Sequence, residues 1–189
     1  MNDATKQIAV TKLDAARRQL RTAIELWFND GEPVSIHTLA CAAYQIVHDL
    51  NKRKKGPPLW FDTDIVKDEH RKDFVRLVKA SSNFFKHADL RKQQATSIEF
   101  KPATSDGFLL FAVVGLHVMG ITINDIESAF MSWTLIHKPH FLKPEGRKVF
   151  FNDVPVDQTN KLKSIEKSEF FKAFLEVRRE KRARGLSSE

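Results

Sequence analysis

Two long amphipathic segments separated by Asn29-Asp30-Gly31-Glu32-Pro33 constrain this chain more than any other feature. In the first, Ala4 to Asn29, apolar Leu13, Ala16, Leu20, Ala23, Ile24 and Trp27 recur at helical spacing, while Arg17, Arg18 and Arg21 take the other side. Gly31 suits the position after a helix, and Pro33 cannot continue the hydrogen-bond ladder, so the helix stops there. Ser35 then caps a second helix whose stripe is Ile36, Leu39, Ala40, Ala43, Val47 and Leu50. Ala40, Ala42 and Ala43 are small enough for another helix to approach closely. A short turn between two such helices predicts an antiparallel hairpin.

The remaining segments extend the same plan. Lys52 to Pro58 reads as a basic loop. Asp62, Asp64, Asp68 and Glu69 place negative charge where a third helix would begin, over about Val66 to Ala88. On that helix Phe74, Leu77, Val78, Ser81, Phe85 and Ala88 share a core-facing stripe, with Arg76, Asn83 and His87 opposite. Ser97 to Phe100 suggests a short strand. Thr104, Ser105 and Asp106 offer caps for a fourth helix, Gly107 to Met119, which is apolar nearly all round and therefore central. A fifth, capped by Thr122 or Asn124, runs to His137. A loop-like stretch follows, with Lys148 to Phe151 as an edge strand, and a last helix, Ser164 to Arg184, carries Phe170, Phe171, Phe174 and Leu175. The expectation is an all-α bundle of five or six helices with an N-terminal hairpin and a buried central helix. It forms a single domain over 1–189, with a core over 4–137 and a C-terminal loop plus basic helix over 138–184.

Fifteen phenylalanines against one tyrosine favour rings used as core filler, since Phe has no polar handle. Cys41 is the sole cysteine, so no intramolecular disulfide forms, as suits a reducing cytosol. The N-terminus lacks the layout of a signal peptide. The most hydrophobic run, Phe108 to Ile121, falls short of the ~20 residues that span a bilayer. A cytoplasmic chain without membrane contact is expected. The net charge of +7 is uneven. Residues 161–184 hold nine Lys or Arg against four Glu, and Lys52-Arg53-Lys54-Lys55 forms a second patch. Such patches attract an anionic partner or serve as solvated helix ends.

Ser82-Asn83-Phe84-Phe85-Lys86-His87 resembles the signature of the HEPN superfamily, helical bundles frequent in prokaryotic toxin and defence systems, many of them dimeric RNases. Their signature is an Arg, a polar residue such as Asn, and a His a few residues on. Asn83 and His87 match, whereas Ser82 stands where the Arg belongs. The resemblance implies His87 as general acid or base, with Asn83 and Lys86 beside it. It leaves RNase chemistry without the cation that stabilises charge on a phosphorane-like state. The segments Asp14 to Leu20, Pro33 to Ala40 and Asn83 to Asp89 also resemble a group of bacterial proteins that brings no activity with it.

His37, Cys41, Tyr44 and His48 share a face of the second helix, about 130° round from its apolar stripe. They read either as the start of a metal site, or with Cys41 as a small buried apolar residue and Tyr44 with His48 as an amphipathic border. His117 is a further ligand candidate or a core histidine. No Gly-rich phosphate loop, nucleophile elbow or paired-cysteine pattern occurs, so no cofactor is expected. Two functional readings follow. One is an HEPN-like bacterial protein that binds RNA or a protein partner, with His87, Asn83 and Lys86 facing a groove or a dimer partner. The other is a non-catalytic interaction module that forms a homodimer. A third reading makes the basic C-terminal helix, with Arg178, Arg179, Lys181, Arg182 and Arg184, the nucleic-acid contact.

Overall fold

Thr11 decides where the first helix begins. Its hydroxyl accepts from the Asp14 amide at 3.1 Å, and the Asp14 carboxylate accepts from the Thr11 amide at 3.2 Å. This capping box satisfies two orphan donors at once. In the computed structural model α1 therefore spans Lys12–Phe28, later than the start expected at Ala4. The structure describes residues 7–62, 67–87, 96–151 and 156–185, without the side chains of Arg71, Val149, Val156 and Asp157.

The stop after α1 is a Schellman turn: Gly31 N–H donates to Leu26 C=O at 2.8 Å and Asp30 N–H to Trp27 C=O at 3.4 Å. The left-handed residue is Asp30, with φ 51°, rather than the glycine. Asp tolerates that region better than most side chains. The second helix, α2 (Pro33–Arg53), is capped by Glu32 and not by Ser35. The Glu32 carboxylate accepts from the amides of Val34 and Ser35 at 3.0 and 2.6 Å, and Pro33 occupies the first helical position. Lys52 and Arg53, expected in a loop, form the last turn of α2, where positive charge complements the helix dipole.

A short 3-10 turn, Trp60–Asp62, leads to α3 (Asp68–Lys86), then α4 (Thr104–Val118) and α5 (Asp125–His137). A second 3-10 turn, Pro139–Phe141, precedes α6 (Pro144–Phe151), α7 (Val156–Ser164) and α8 (Lys167–Ala183). The described residues thus hold eight α-helices and no strand, in place of five or six helices and two short strands. The extra helices are short and Pro- or Lys-rich, so they lack the apolar periodicity that marks a longer one. Lys148 to Phe151 alternates like a strand, yet Phe150 and Phe151 pack on the core from helical backbone.

Ala16, Leu20, Ala23, Ile24 and Phe28 of α1 are buried, and α2 is the main packing partner of this helix. On α4, Phe108, Leu109, Leu110, Ala112, Val113 and Leu116 are buried, and α2 is again the main partner. His117, by contrast, faces solvent. Each fully buried Leu or Phe contributes roughly 1.5–3 kcal/mol relative to its exposed state, so these stripes dominate stability. The C-terminal helix joins the same core: Phe171 stacks on Phe28 at 4.4 Å between centroids.

On α3 the expected stripe is rotated. Leu77 is 71% exposed, while Val75 and Val78 pack on the core and Ser82 is buried. Ala88, the last residue of that stripe, lies outside the described residues. Polar contacts to α2 account for the rotation. Ser82 hydrogen-bonds Cys41, and the Lys79 ammonium donates to Gln45 Oε1 at 2.5 Å while lying 4.5 Å from the Phe61 ring centroid.

Candidate functional site

Ser82, which stands where the resemblance to HEPN proteins expects an arginine, points inward. Ser82 is 3% exposed and bonded to Cys41. Asn83 and His87 lie on the outer side of α3, both exposed. His87 is the C-cap, extended at φ −126° and ψ 120°, with its N–H bonded to Asn83 C=O at 3.1 Å. Arg76, the other cation on this face, pairs with Asp73 at 3.0 Å. The Lys86 ammonium acts on α2 instead, lowering the pKa of both His37 and Cys41 by its positive charge.

His37, Cys41, Tyr44 and His48 are all buried, so this face of α2 is interior and not a border. His37 Nδ1 lies 3.1 Å from Ser105 Oγ and its Nε2 lies 3.4 Å from Cys41 Sγ. Burial first, then the charge of Lys86, lowers the His37 pKa from 6.5 to about 4. Burial raises the Cys41 thiol to about 12 and outweighs the Ser82 hydrogen bond. Both groups are therefore neutral at pH 7. A neutral buried thiol is not a nucleophile. Tyr44 Oη accepts from the Phe61 amide at 3.1 Å, and burial raises its pKa as well.

His48 turns away from Cys41. Its Nε2 lies 2.6 Å from Asp62 Oδ2 and its Nδ1 3.2 Å from Asp49 Oδ1, so both ring nitrogens already have partners. His48, Asp62, Lys72 and Lys79 border a cavity of about 450 Å³. No group of three or more His, Cys, Asp or Glu side chains able to hold a metal occurs among the described residues.

The basic C-terminal helix is only partly free to meet a ligand. Arg178 Nε pairs with Asp125 Oδ1 at 3.0 Å, and Arg182 pairs with the other oxygen of the same carboxylate. Arg184 lies 3.5 Å from Glu180. Arg179 and Lys181 are exposed. Arg178, Arg179 and Arg182 border a cleft of about 540 Å³, completed by Arg21 of α1 and by Asn124 and Asp125 at the start of α5. Arg21 belongs to the cleft although it lies 157 positions before Arg178 in the chain. Its place in the polar row of α1, beside Arg17 and Arg18, was the available signal. Asn83, Lys86 and His87 border neither this cleft nor the cavity beside His48.

No family model, curated protein or solved structure matches this chain. Among the described residues no helix is long and apolar enough to cross a membrane.

Proposed function

We propose that this chain is a non-catalytic helical interaction module that contacts RNA through the basic face of α8. The observation that carries this reading is the convergence of Arg21, Arg178, Arg179 and Arg182 on one cleft. Guanidinium groups stay charged at any physiological pH and match phosphate oxygens in their fork geometry. The α3 residues support the non-catalytic part: Asn83 and His87 are exposed, Ser82 stands in place of the motif arginine, and the nearby Arg76 pairs with Asp73. The scaffold is read with α1 and α2 as an antiparallel hairpin laid against α4 as the central helix, and the module as a homodimer.

Binding of a fluorescent single-stranded RNA, followed by anisotropy while KCl rises from about 50 to about 200 mM, tests this function. Binding that weakens steeply with salt, together with equal and negligible RNA cleavage by wild type and His87→Ala, supports it. Cleavage that disappears in His87→Ala would restore the catalytic reading, and salt-insensitive binding or none at low salt would remove the RNA contact. Light scattering coupled to size exclusion tests the dimer, and a clean monomer removes it.

A further inference from the structure

We infer that the cleft between α1, α5 and α8 is a phosphate site in which the Asp125 carboxylate holds the place of the ligand. The inference rests on the basic-surface reading above and names the chemical group that the surface takes. Four guanidinium groups, from Arg21, Arg178, Arg179 and Arg182, share the cleft with two carboxylates, Glu25 and Asp125. They border a space of about 540 Å³, within the ~300–1,000 Å³ of ordinary ligand clefts.

The arginines differ in what they can release. Arg178, with its side chain 33% exposed, ties α8 to the Asp125 carboxylate, which is itself 14% exposed. That contact is structural. Arg182 is 64% exposed and holds the other oxygen of the same carboxylate. It can turn from Asp125 to an incoming phosphate without uncovering the core. Arg179 makes no ion pair among the described residues and is exposed. Arg21 pairs with Glu25 at 3.0 Å on an exposed part of α1. A phosphate bridging Arg179 and Arg182 therefore meets one unpaired cation and one that exchanges a carboxylate for a better-matched anion. Tetrahedral phosphate offers such fork contacts more oxygens, and more directions of approach, than the two oxygens of a carboxylate. Ile123, Ile126 and Leu175 also line the cleft and lower its local dielectric, which strengthens each contact.

Anisotropy with the same labelled RNA, and competition by inorganic pyrophosphate, test the assignment in the full chain. Arg179→Gln and Arg182→Gln are each expected to weaken RNA binding several-fold and to lower the salt slope by about one. Lys181→Gln, on the same helix but outside the cleft, is expected to change binding less. Asp125→Asn removes the internal competitor and is expected to bind RNA more tightly, with pyrophosphate displacing RNA from it at a lower concentration. Arg179 makes no ion pair among the described residues, so a loss in Arg179→Gln with unchanged circular dichroism reports the site and not the fold. If RNA binds with strong salt dependence yet the Arg179 and Arg182 variants match wild type, the phosphate cleft is overturned and the RNA reading stands. If RNA does not bind but pyrophosphate raises the melting temperature of wild type and not of Arg179→Gln, the cleft stands as a site for free phosphates and the RNA reading falls. If neither ligand acts, both fall.

Discussion

Arg17 of α1 and Glu127 of α5, 110 positions apart, meet in a two-point ion pair. The Arg17 Nε donates to Oε1 at 3.1 Å and Nη2 to Oε2 at 2.8 Å. The Glu127 side chain is fully buried, and the same Oε2 accepts from the Asn124 amide at 2.8 Å, closing the capping box of α5. One carboxylate thus starts α5 and fixes it to α1. Glu127→Gln is expected to lower stability by roughly 2–3 kcal/mol, less than the 3–5 kcal/mol of a fully buried pair because Arg17 stays partly hydrated. Arg17→Ala is expected to cost more, since it strands a buried negative charge. Urea denaturation followed by circular dichroism checks the order. Losses below about 0.5 kcal/mol in both variants would show that the pair contributes nothing net.

The sequence carried the parts of this fold that depend on near neighbours. The stripe of α1, the break over Asn29 to Pro33 and the Asn124 cap are local patterns, and the helices observe them. What it concealed depends on distant partners. The face of α2 with Tyr44 and His48 reads as an amphipathic border, because one helix cannot reveal a second layer over it, whereas Cys41 is buried as a small apolar residue. Phe85, Phe100 and Phe108 all pack against the His37 ring. The inward turn of Ser82 is equally invisible, because its partner Cys41 lies on another helix. At the candidate site, the arginines of α8 are evident from composition, but their division between Asp125 and open cleft is not.

Stability at mildly acidic pH should follow His37. Its pKa is lowered from 6.5 to about 4, by burial first and by Lys86 second. Between those values the unfolded chain binds a proton that the folded chain does not. The contribution of neutral His37 is complete above pH 6.5, shrinks as pH falls through this window and is gone below about 4. Its size is on the order of 3 kcal/mol. His37→Gln should flatten the dependence of urea stability on pH between those limits, and Lys86→Gln should move the imidazole titration upward in an NMR experiment. An unchanged pH profile in His37→Gln would refute the assignment.

Cys41 is the chain's single thiol and reports the docking of α3 over α2. Burial raises it to about 12, which lowers its thiolate fraction near pH 8 by roughly three orders of magnitude relative to a free cysteine. Iodoacetamide should label the native protein slowly and the urea-unfolded protein fast. Ser82→Ala removes a bond that favours the thiolate, so native labelling should slow further if the helix stays in place. Faster labelling would mean instead that Ser82 holds α3 down. Native labelling as fast as that of the unfolded chain would show that α3 does not cover the thiol.

Gly115 of α4 lies close against Val47 of α2. A Cβ built there would lie 2.5 Å from Val47 Cγ1 and 3.1 Å from Leu59 Cδ1. Val47 is fully buried and Leu59 nearly so, which leaves neither side chain room to retreat. Gly to Ala inside a helix would ordinarily gain up to about 1 kcal/mol from propensity. Overpacking in a filled core costs about 1–3 kcal/mol and wins here. Gly115→Ala should therefore lower the urea midpoint with little change in slope. Pairing it with Val47→Ala should recover part of the loss, because the added methyl fills the space the valine leaves. A double variant no more stable than the sum of its parts would place the strain elsewhere than at the Val47 contact.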